Sequence, residues 1–358
     1  MNLLRLTSRR VYSTHAPKIS NGFIGAIGNT PLIRLNRLSE EVGSDILGKA
    51  EWMNPGGSVK DRAALYLIND AEERGLLKPG GTIVEGTAGN TGIGLALMCR
   101  TKGYNCIFYM PETMSQEKVD ILRLLGAEVY LGPVVSYEDP EHIAHQAKRH
   151  AESLDNAIFT EQFHNLANRR AHFETTGPEI YAQTDGEVDG FVCAAGTGGT
   201  LAGIAQYLKQ MKGDNVKVFV GDPTGSALHS YFTSGKTSLE SSDVATVAEG
   251  IGQKFVTDNV AASEDLIDGA FSISDEESIK MVYRLLDEEG IYVGLSSALN
   301  VVAATKLAKQ LGKGKKVVTI LCDSAHKYQS KLFSRQWLES KDLLTAIPKH
   351  LQKYAILP

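Results

Sequence analysis

The sequence predicts an α/β protein whose mainly parallel sheets are divided between two domains. Short apolar or β-branched runs alternate with helix-like patterns along the 358 residues, and this alternation indicates crossover units on parallel sheets. A chain of this length is typical of about two domains. No repeat period, low-complexity tract or long Pro/Ser linker divides it, so we expect the division to follow from topology.

The first two units show the pattern most plainly. The run TIVE leads into a helical pattern that ends at Gly103, and CIFYM leads into a second one that ends at Gly126. Thr113 and Gln116 have the spacing of a capping box at the start of the second helix. Strands are expected at 82–85, 106–110, 127–132, 190–195, 216–221 and 317–321.

Composition argues against several classes of partner. The formal net charge is -5 and the pI about 6.0, whereas nucleic-acid binding uses basic surfaces. No apolar stretch reaches the roughly 18 residues of a membrane span, and no HExxH motif, metal-ligating Cys/His cluster or EF-hand loop is present. We expect the four cysteines, at 99, 106, 193 and 322, to be buried free thiols.

The first residues differ in composition from the rest of the chain. They carry several Arg, Ser and Thr residues, and the first acidic residue is Glu40. This composition is typical of a transit peptide, and RVYS resembles a mitochondrial processing site that is cut after Tyr12. We predict a transit peptide over 1–19 and a location in the mitochondrial matrix. The alternatives are a disordered basic arm and a cytoplasmic protein.

A glycine-rich loop follows the strand expected at 190–195 and opens a helix. Its small residues let backbone N–H groups point inward, and the helix N-terminus behind them suits a phosphate. The loop matches neither GxxxxGK[ST] nor GxGxxG, and by itself it is as compatible with a plain turn. The residues concerned are Gly196, Thr197, Gly198, Gly199 and Thr200.

A second loop, EGTAGNTGIGLA, has the same position between a strand and a helix. Its backbone donors and two hydroxyls could hold a carboxylate, and Asn90 could bond an oxygen of a cofactor or substrate. The alternative, slightly favoured from this window alone, is a capped helix start with Asn or Thr as the N-cap. The loop residues are Thr87, Ala88, Gly89, Asn90 and Thr91.

Lys60 stands where the turn NPGGSV becomes an apolar-rich helical run. A lysine serves as a Schiff-base nucleophile once burial or a neighbouring charge lowers its pKa. A phosphate loop together with such a lysine implies pyridoxal 5'-phosphate as the cofactor. The alternative, favoured from this window alone, is a surface ion pair between Lys60 and Asp61 or another neighbour.

Seven motifs together resemble the cysteine synthase family, which comprises O-acetylserine sulfhydrylases and cystathionine β-synthases. They are NPGGSVKDR, GTAGNTG, MPETMSQEK, TEQFHNLANRRAHFETTGPEI, GTGGTLAG, EGIGQKFV and EEGIYVGLSSALN, in family order between Ile24 and Leu338. The resemblance implies a fold-type II pyridoxal-phosphate enzyme, similar to the tryptophan synthase β subunit. Such a protein has two three-layer α/β domains with mainly parallel sheets. The chain looks most like the cysteine synthase branch, closest to a mitochondrial one.

The resemblance also implies roles for individual residues. Lys60 matches the lysine that carries the cofactor as a Schiff base and then removes the substrate Cα proton. Asn90 matches the asparagine beside the cofactor ring hydroxyl. Ser324 falls where the family places a Ser or Thr beside the pyridine nitrogen, and a helix N-cap is also compatible with it. The phosphate cradle corresponds to residues 196–200. The substrate site corresponds to Thr87, Ala88, Gly89, Asn90, Thr91, Gln162 and Gly250.

Two departures from the family pattern concern substrate preference. Ala88 stands where the family usually has Ser, which removes one hydroxyl near the reacting centre. Ala298 and Leu299 replace a usual Gly-Ala pair, and we expect them to tighten the pocket wall. Both departures affect the choice of donor and acceptor more than the class of reaction.

The resemblance implies a division into a smaller mobile domain at 53–165 and a larger cofactor-binding domain that combines 20–52 with 166–340. Residues 341–358 would form a C-terminal tail. The expected reaction is a β-replacement that makes L-cysteine and acetate from O-acetyl-L-serine and sulfide, in a homodimer. Rival activities on the same site are cysteine desulfhydration, cystathionine formation and serine or threonine deamination. A rival from another class is a non-catalytic protein of this fold that binds partners.

Overall fold

The computed structural model describes residues 19–87, 89–242 and 246–357. The expected transit peptide, apart from Ile19, and the expected substrate residue Ala88 lie outside these ranges. None of the helices within the ranges combines the length and the hydropathy that a bilayer crossing requires.

The described chain forms strands at β1 Leu32–Arg34, β2 Asp45–Ala50, β3 Thr82–Gly86, β4 Asn105–Pro111, β5 Glu128–Gly132, β6 Ala157–Phe159, β7 Gly190–Cys193, β8 Lys217–Pro223, β9 Gly269–Ile273 and β10 Lys316–Leu321. The α-helices are α1 Gly22–Gly25, α2 Asn36–Val42, α3 Lys60–Glu73, α4 Asn90–Lys102, α5 Gln116–Leu124, α6 Ile143–Ser153, α7 Ala167–Ala171, α8 Gly177–Gln183, α9 Gly199–Lys212, α10 Leu228–Thr233, α11 Asp258–Ala261, α12 Asp275–Glu289, α13 Leu295–Leu311, α14 Gln329–Leu332 and α15 Arg335–Ser340. A π-helical turn, His172–Thr176, joins α7 to α8.

The strands form two sheets. The larger sheet has the order β1-β2-β10-β7-β8-β9, and all of its neighbours are parallel except β1 and β2. The smaller sheet has the order β5-β4-β3-β6 and is parallel throughout. Neighbouring strands that are parallel but not consecutive need crossover connections, and the helices between them supply these connections. The predicted α/β class with mainly parallel sheets is confirmed.

Each sheet is covered by helices on both faces because its strands bury alternate side chains on opposite sides. On β7, Val192 packs into the core with α12 and α13, while Phe191 and Cys193 pack into the core with α9. In the smaller sheet, Ile83 faces α3 and α4, and Val84 faces α6. The protein therefore has two three-layer units, and the cleft between them is where ligands of such folds bind.

The smaller sheet uses only strands within 82–159, and the larger sheet uses strands from 32–50 and 190–321. The domain boundaries themselves stay a prediction. The C-terminal segment packs back onto the larger unit, where Leu343 and Leu351 are buried with α12 and α13. Its last residues pair with Ser334 through Leu357.

The expected capping box of Thr113 and Gln116 is wrong. Helix α5 begins at Gln116 behind Ser115, which has extended backbone angles and makes no side-chain cap hydrogen bond. A complete capping box occurs instead at α12, where Ser274 and Glu277 bond each other's backbone N–H groups.

Candidate active site

A cavity of about 440 Å³ lies between the two units and takes its walls from both. Lys60, Thr87 and Gln162 line it from the side of the smaller sheet, and Thr197 and Ser296 line it from the side of the larger sheet. A smaller cavity shares Lys60 and Thr197 with it and extends along the glycine-rich loop. Described residues of both predicted loops thus line neighbouring cavities.

Lys60 is the first residue of α3, and it lines both cavities. The turn before it is fixed by Asp61, whose carboxylate accepts a hydrogen bond from Gly56 N at 2.6 Å. Asp61 is 1% exposed, and burial raises its pKa to about 7. Asp61 therefore belongs to the buried turn. Because Asp61 is buried, the alternative of a surface ion pair between Lys60 and Asp61 is wrong.

Lys60 lines both cavities, and its positive charge affects the pKa of several neighbouring groups. Burial raises the pKa of the Cys322 thiol to about 11, and Lys60 opposes this shift. Burial raises the pKa of Asp323 as well, and Lys60 is among the groups that oppose it. Burial holds the pKa of His172 well below its ordinary value, with Arg62 and Lys60 lowering it further. His172 is therefore uncharged at neutral pH.

The glycine-rich loop connects β7 to α9 and packs against its neighbours too closely for side chains. A Cβ on Gly196 would overlap the carbonyl oxygen of Gly250, and one on Gly199 would overlap Asn168. Gly198 has a φ of +82°, in the left-handed region that favours glycine. The loop therefore presents backbone N–H groups at the start of a 14-residue helix, where an anion is favourable.

Two threonine hydroxyls in the loop are oriented by buried partners. Asn168 donates from Nδ2 to Thr197 Oγ1 at 2.9 Å. Thr200 Oγ1 lies 3.1 Å from His172 Nε2. Because these partners fix the hydroxyls, Thr197 and Thr200 can bond a phosphate at little cost in side-chain entropy.

Hydrogen bonds through Gln162 connect the second loop to Gly86 at the end of β3. Thr91 Oγ1 donates to Gln162 Oε1 at 2.7 Å, and Gln162 Nε2 donates to Gly86 O at 3.2 Å. Thr87 Oγ1 accepts from Gly89 N at 3.4 Å. The structure thus brings the expected substrate residues Thr87, Gly89, Thr91 and Gln162 together beside Lys60, while their role stays a prediction.

The alternative of an Asn or Thr N-cap at this loop is wrong. Gly89 is the N-cap of α4 and Asn90 is its first residue. Asn90 directs its side chain away from the helix, donating from Nδ2 to Asp323 Oδ2 at 2.7 Å and accepting at Oδ1 from Lys327 Nζ at 2.6 Å. Sequence reasoning missed both partners, because they lie more than 230 residues further along the chain.

Ser324 has a local partner in the structure, since its Oγ lies 3.0 Å from His326 Nδ1. It precedes a short helical turn but makes no side-chain cap hydrogen bond. Cys322 and Ser296 line the cavity on this side. The expected contact of Ser324 with the pyridine nitrogen stays a prediction, and Ser296 is a hydroxyl that sequence reasoning did not single out.

Of the remaining predicted residues, Gly250 lines the cavities and Ala298 does not. Gly250 lines both cavities next to Glu249, which bonds Lys118 of α5 and Lys331 of α14. Ala298 is fully buried in the core of the larger unit rather than at the surface of the cavity. The four cysteines are free as expected, but Cys322 is only partly buried, so the expectation of burial is wrong for it.

Comparison with known proteins assigns the chain to a described group. The family model for pyridoxal-phosphate dependent enzymes matches residues 24–323. Cysteine synthase 1 of Neurospora crassa is 66% identical over 343 residues, which cover 96% of this chain and 91% of that protein. Cysteine synthase 1 of Emericella nidulans is 65% identical over 338 residues, covering 94% of this chain and 91% of that protein.

Relatives at lower identity include both cysteine synthases and cystathionine beta-synthases. Cystathionine beta-synthase of Rattus norvegicus is 42% identical over 334 residues, which cover 92% of this chain but only 58% of that protein. A solved structure of an O-acetylserine dependent cystathionine beta-synthase from Helicobacter pylori superposes with a TM-score of 0.78 at 36% identity. The match covers 87% of this chain and 98% of that one.

The residues present fit pyridoxal phosphate. The phosphate cradle of residues 196–200 is closed to side chains by the overlaps at Gly196 and Gly199. The amine of Lys60 lies in the same cavity, which is the requirement for a covalent bond to an aldehyde. Asn90 supplies an amide at the far side of the cleft, where a ring oxygen could bind.

Proposed function

Because this chain belongs to the pyridoxal-phosphate dependent enzymes, we propose that it is a cysteine synthase. It would make L-cysteine and acetate from O-acetyl-L-serine and sulfide. The reaction breaks the Cβ–O bond to acetate and forms a Cβ–S bond in its place. Support comes from the relatives named cysteine synthase, which match at 65% and 66% identity over nearly the whole chain.

The main structural support is the position of Lys60 between the two loops. Lys60 shares one cavity with the phosphate cradle on one side and with Thr87, Thr91 and Gln162 on the other. A cofactor anchored by its phosphate and by Lys60 would therefore present its reactive carbon to a substrate whose carboxylate binds the second loop. Proximity and fixed orientation of this kind contribute a large part of catalysis.

The residues of the chain have distinct tasks in this reaction. Bound pyridoxal phosphate supplies the electron sink that makes the substrate Cα–H acidic and the β-substituent easy to lose. The Lys60 amine takes the Cα proton and later returns it. The hydroxyl of Thr91 and the amide of Gln162, already joined at 2.7 Å, bind the substrate carboxylate and hold Cα near Lys60.

The proposal is tested with purified protein, pyridoxal phosphate and a panel of substrates. O-acetylserine, O-phosphoserine, serine and cysteine are each assayed with and without sulfide, and serine also with homocysteine. We expect the highest kcat/KM for O-acetylserine with sulfide, and cysteine as the product. Lys60→Ala should lose turnover by several orders of magnitude, while Lys102→Ala, on the far end of α4, should leave it unchanged. A highest kcat/KM for serine with homocysteine would overturn the assignment in favour of cystathionine formation.

We also propose that the protein acts in the mitochondrial matrix. The support is the basic N-terminal sequence, in which Glu40 is the first acidic residue. Fusion of residues 1–25 to a fluorescent reporter tests this proposal. We expect mitochondrial fluorescence, and a diffuse cytosolic signal would contradict it.

We further propose that the protein forms a homodimer. The resemblance to the cysteine synthase family supports a homodimer, and two exposed apolar side chains, Leu76 and Leu166, border the same open groove beside α3 and α7. Sedimentation equilibrium should give twice the chain mass of 38.8 kDa. A single species at the mass of one chain would contradict a homodimer.

A further inference from the structure

The amide of Asn90 is held from both ends by charged groups of the larger unit. Its Oδ1 accepts from Lys327 Nζ at 2.6 Å, and its Nδ2 donates to Asp323 Oδ2 at 2.7 Å. Asn90 itself begins α4 in the smaller unit. The amide therefore bridges the cleft, and its two partners lie on the segment between β10 and α14.

The two partners allow only one orientation of the amide. A lysine ammonium has donors alone, and an ionised carboxylate has acceptors alone. Rotating the amide by 180° would set Nδ2 against Lys327 and Oδ1 against Asp323, which loses both bonds and opposes like partial charges. With one Nδ2 hydrogen bound to Asp323, the second hydrogen of Nδ2 remains for another acceptor.

Asp323 is built into this position. It is 1% exposed, and its Oδ2 also accepts from Tyr328 Oη at 2.7 Å. A side chain on Gly294 would overlap Asp323 Oδ1, so glycine there makes room for the carboxylate. Oδ1 itself has no hydrogen-bond partner within the described part of the chain.

The two charges stabilise each other in the partly buried site. Burial lowers the pKa of Lys327, and the charges of Asp323 and Asp61 oppose this shift. Burial raises the pKa of Asp323, while Tyr328, Asn90 and Lys327 oppose it. A buried charge without its partner is costly, so the pair is maintained as a unit around Asn90.

We propose that Lys327 and Asp323 are positioning residues that fix the Asn90 amide so that its second N–H donates to the ring oxygen of bound pyridoxal phosphate. The inference rests on the proposed function, because it needs this cofactor in the cleft. Lys327 and Asp323 touch the asparagine, and they act on the cofactor through it. A hydrogen bond donated by Asn90 would stabilise the ring oxygen in its deprotonated, negatively charged form.

The first test uses Lys327→Met, with Lys331→Met as the matched control. Lys331 lies four residues further on and is bonded to Glu249 at 2.8 Å instead of to Asn90. Two quantities are measured. The first is the dissociation constant of pyridoxal phosphate, by titration into the cofactor-free protein. The second is the ratio of the long- and short-wavelength absorption bands of the bound cofactor, which reports the proton on the ring oxygen.

We expect Lys327→Met to weaken cofactor binding about ten- to hundredfold, which corresponds to one charge-assisted hydrogen bond. The band ratio should shift towards the form with a protonated ring oxygen. The control should stay within about twofold of the unmodified protein, because Lys331 does not contact Asn90 and a half-exposed ion pair contributes little. Unchanged affinity and an unchanged band ratio in Lys327→Met would overturn the inference.

A double-mutant cycle separates positioning from a direct effect of the lysine charge. If Lys327 acts through Asn90, then Lys327→Met should change the affinity by less than about twofold when added to Asn90→Ala, since coupled residues are not additive. Equal effects in both backgrounds would overturn the inference. Lys327→Gln, which keeps a donor, should recover part of the affinity, and it replaces Lys327→Met in the cycle if the Met variant does not fold.

The outcomes also separate this inference from the proposed function. If the unmodified protein makes cysteine but the cycle shows additivity, only the role of Lys327 and Asp323 is lost. If the unmodified protein does not bind pyridoxal phosphate, both are overturned.

Discussion

Glu85 shows at the scale of one residue how the fold changes a side chain next to the candidate substrate loop. It is 1% exposed at the end of β3, and its carboxyl accepts from Gly86 N at 3.0 Å, from Gln162 N at 3.3 Å and from the Thr160 hydroxyl. Burial raises its pKa to about 7, although these donors oppose the shift. Glu85 thus links the protonation state of a buried group to the backbone of Gln162.

The raised pKa of Glu85 predicts a dependence of stability on pH. The folded protein keeps the proton in a range where the unfolded chain has lost it, so the contribution is fully present below about pH 4.5. It is lost as the pH rises through about 7. One pKa unit is about 1.4 kcal/mol, so the loss is on the order of 3 kcal/mol.

Glu85→Gln, which cannot ionise, should therefore lose less stability than the unmodified protein between pH 5 and pH 8. The free energy of unfolding of both proteins is measured by urea denaturation at several pH values. Other buried acids, such as Asp61 and Asp222, titrate in both proteins and cancel in the difference. Parallel pH profiles would show that Glu85 has no such role.

The sequence could indicate a role only for residues that belong to a short, local motif. Lys60 behind its turn and the loop at 196–200 are recognisable in short windows, and the structure places them in one cavity. The partners of Asn90 were missed because a hydrogen bond across 233 residues leaves no local pattern. Cys322 and Ser296 were missed for the same reason, since only the packing of β10 and α13 brings them to the cleft.

Among the elements, apolar runs predicted six of the strands and missed β1, β2, β6 and β9. The strands expected at 106–110, 127–132 and 317–321 correspond to β4, β5 and β10. Strands β1 and β6 have three residues each, too few for a period to be visible. Capping was a poorer guide, because Thr113 matched a motif that the backbone does not use.

Helix α9 approaches its neighbours so closely because two glycines lie on one of its faces. Gly199 and Gly203 are four residues apart, and a Cβ on Gly203 would overlap the carbonyl oxygen of Arg169 and crowd the backbone of Phe173. These obstacles are backbone atoms of α7 and the π-helical turn, which cannot move aside as a side chain could. The position of the phosphate cradle therefore depends on this helix contact.

Gly203→Ala should destabilise the protein by about 1–3 kcal/mol through overpacking, despite the higher helix propensity of alanine. Gln210→Ala, on the exposed face of α9, should change the free energy of unfolding by less than about 0.5 kcal/mol. Urea denaturation of the cofactor-free proteins measures both. Equal stability of Gly203→Ala and the unmodified protein would mean that the helix can shift without cost.

At the scale of the whole molecule, a buried ionic network ties the start of α3 to the larger unit. Arg62 bonds Glu51 at 2.8 Å and Glu179 at 2.7 Å, and Lys49 bonds Glu179 at 2.6 Å. Burial by itself would raise the pKa of Glu179, but Arg62 and Lys49 lower it to about 2. The network contains two carboxylates and two positively charged side chains. Removing any one of the four would leave an uncompensated buried charge. Lys60, two residues before Arg62, is thereby held at the cleft.

The sequence predicted two α/β units but could not show how they are joined. The larger sheet is completed by β2 and β10, which lie far apart in the chain and pair in register from Asp45 with Lys316 onward. No linker or shift in composition marks the points where the chain leaves the larger sheet after β2 and returns to it. The family resemblance implies where the chain divides, and this division stays a prediction.

Chemical mapping of the labelled lysine shows whether Lys60 carries the cofactor. The protein is incubated with pyridoxal phosphate, the carbon–nitrogen bond to the lysine is reduced with borohydride, and the digest is analysed by mass spectrometry. We expect the added mass on the peptide that contains Lys60, and no comparable label in Lys60→Ala. A label on another lysine of the cleft, such as Lys327, or no label on the unmodified protein, would show that Lys60 does not carry the cofactor.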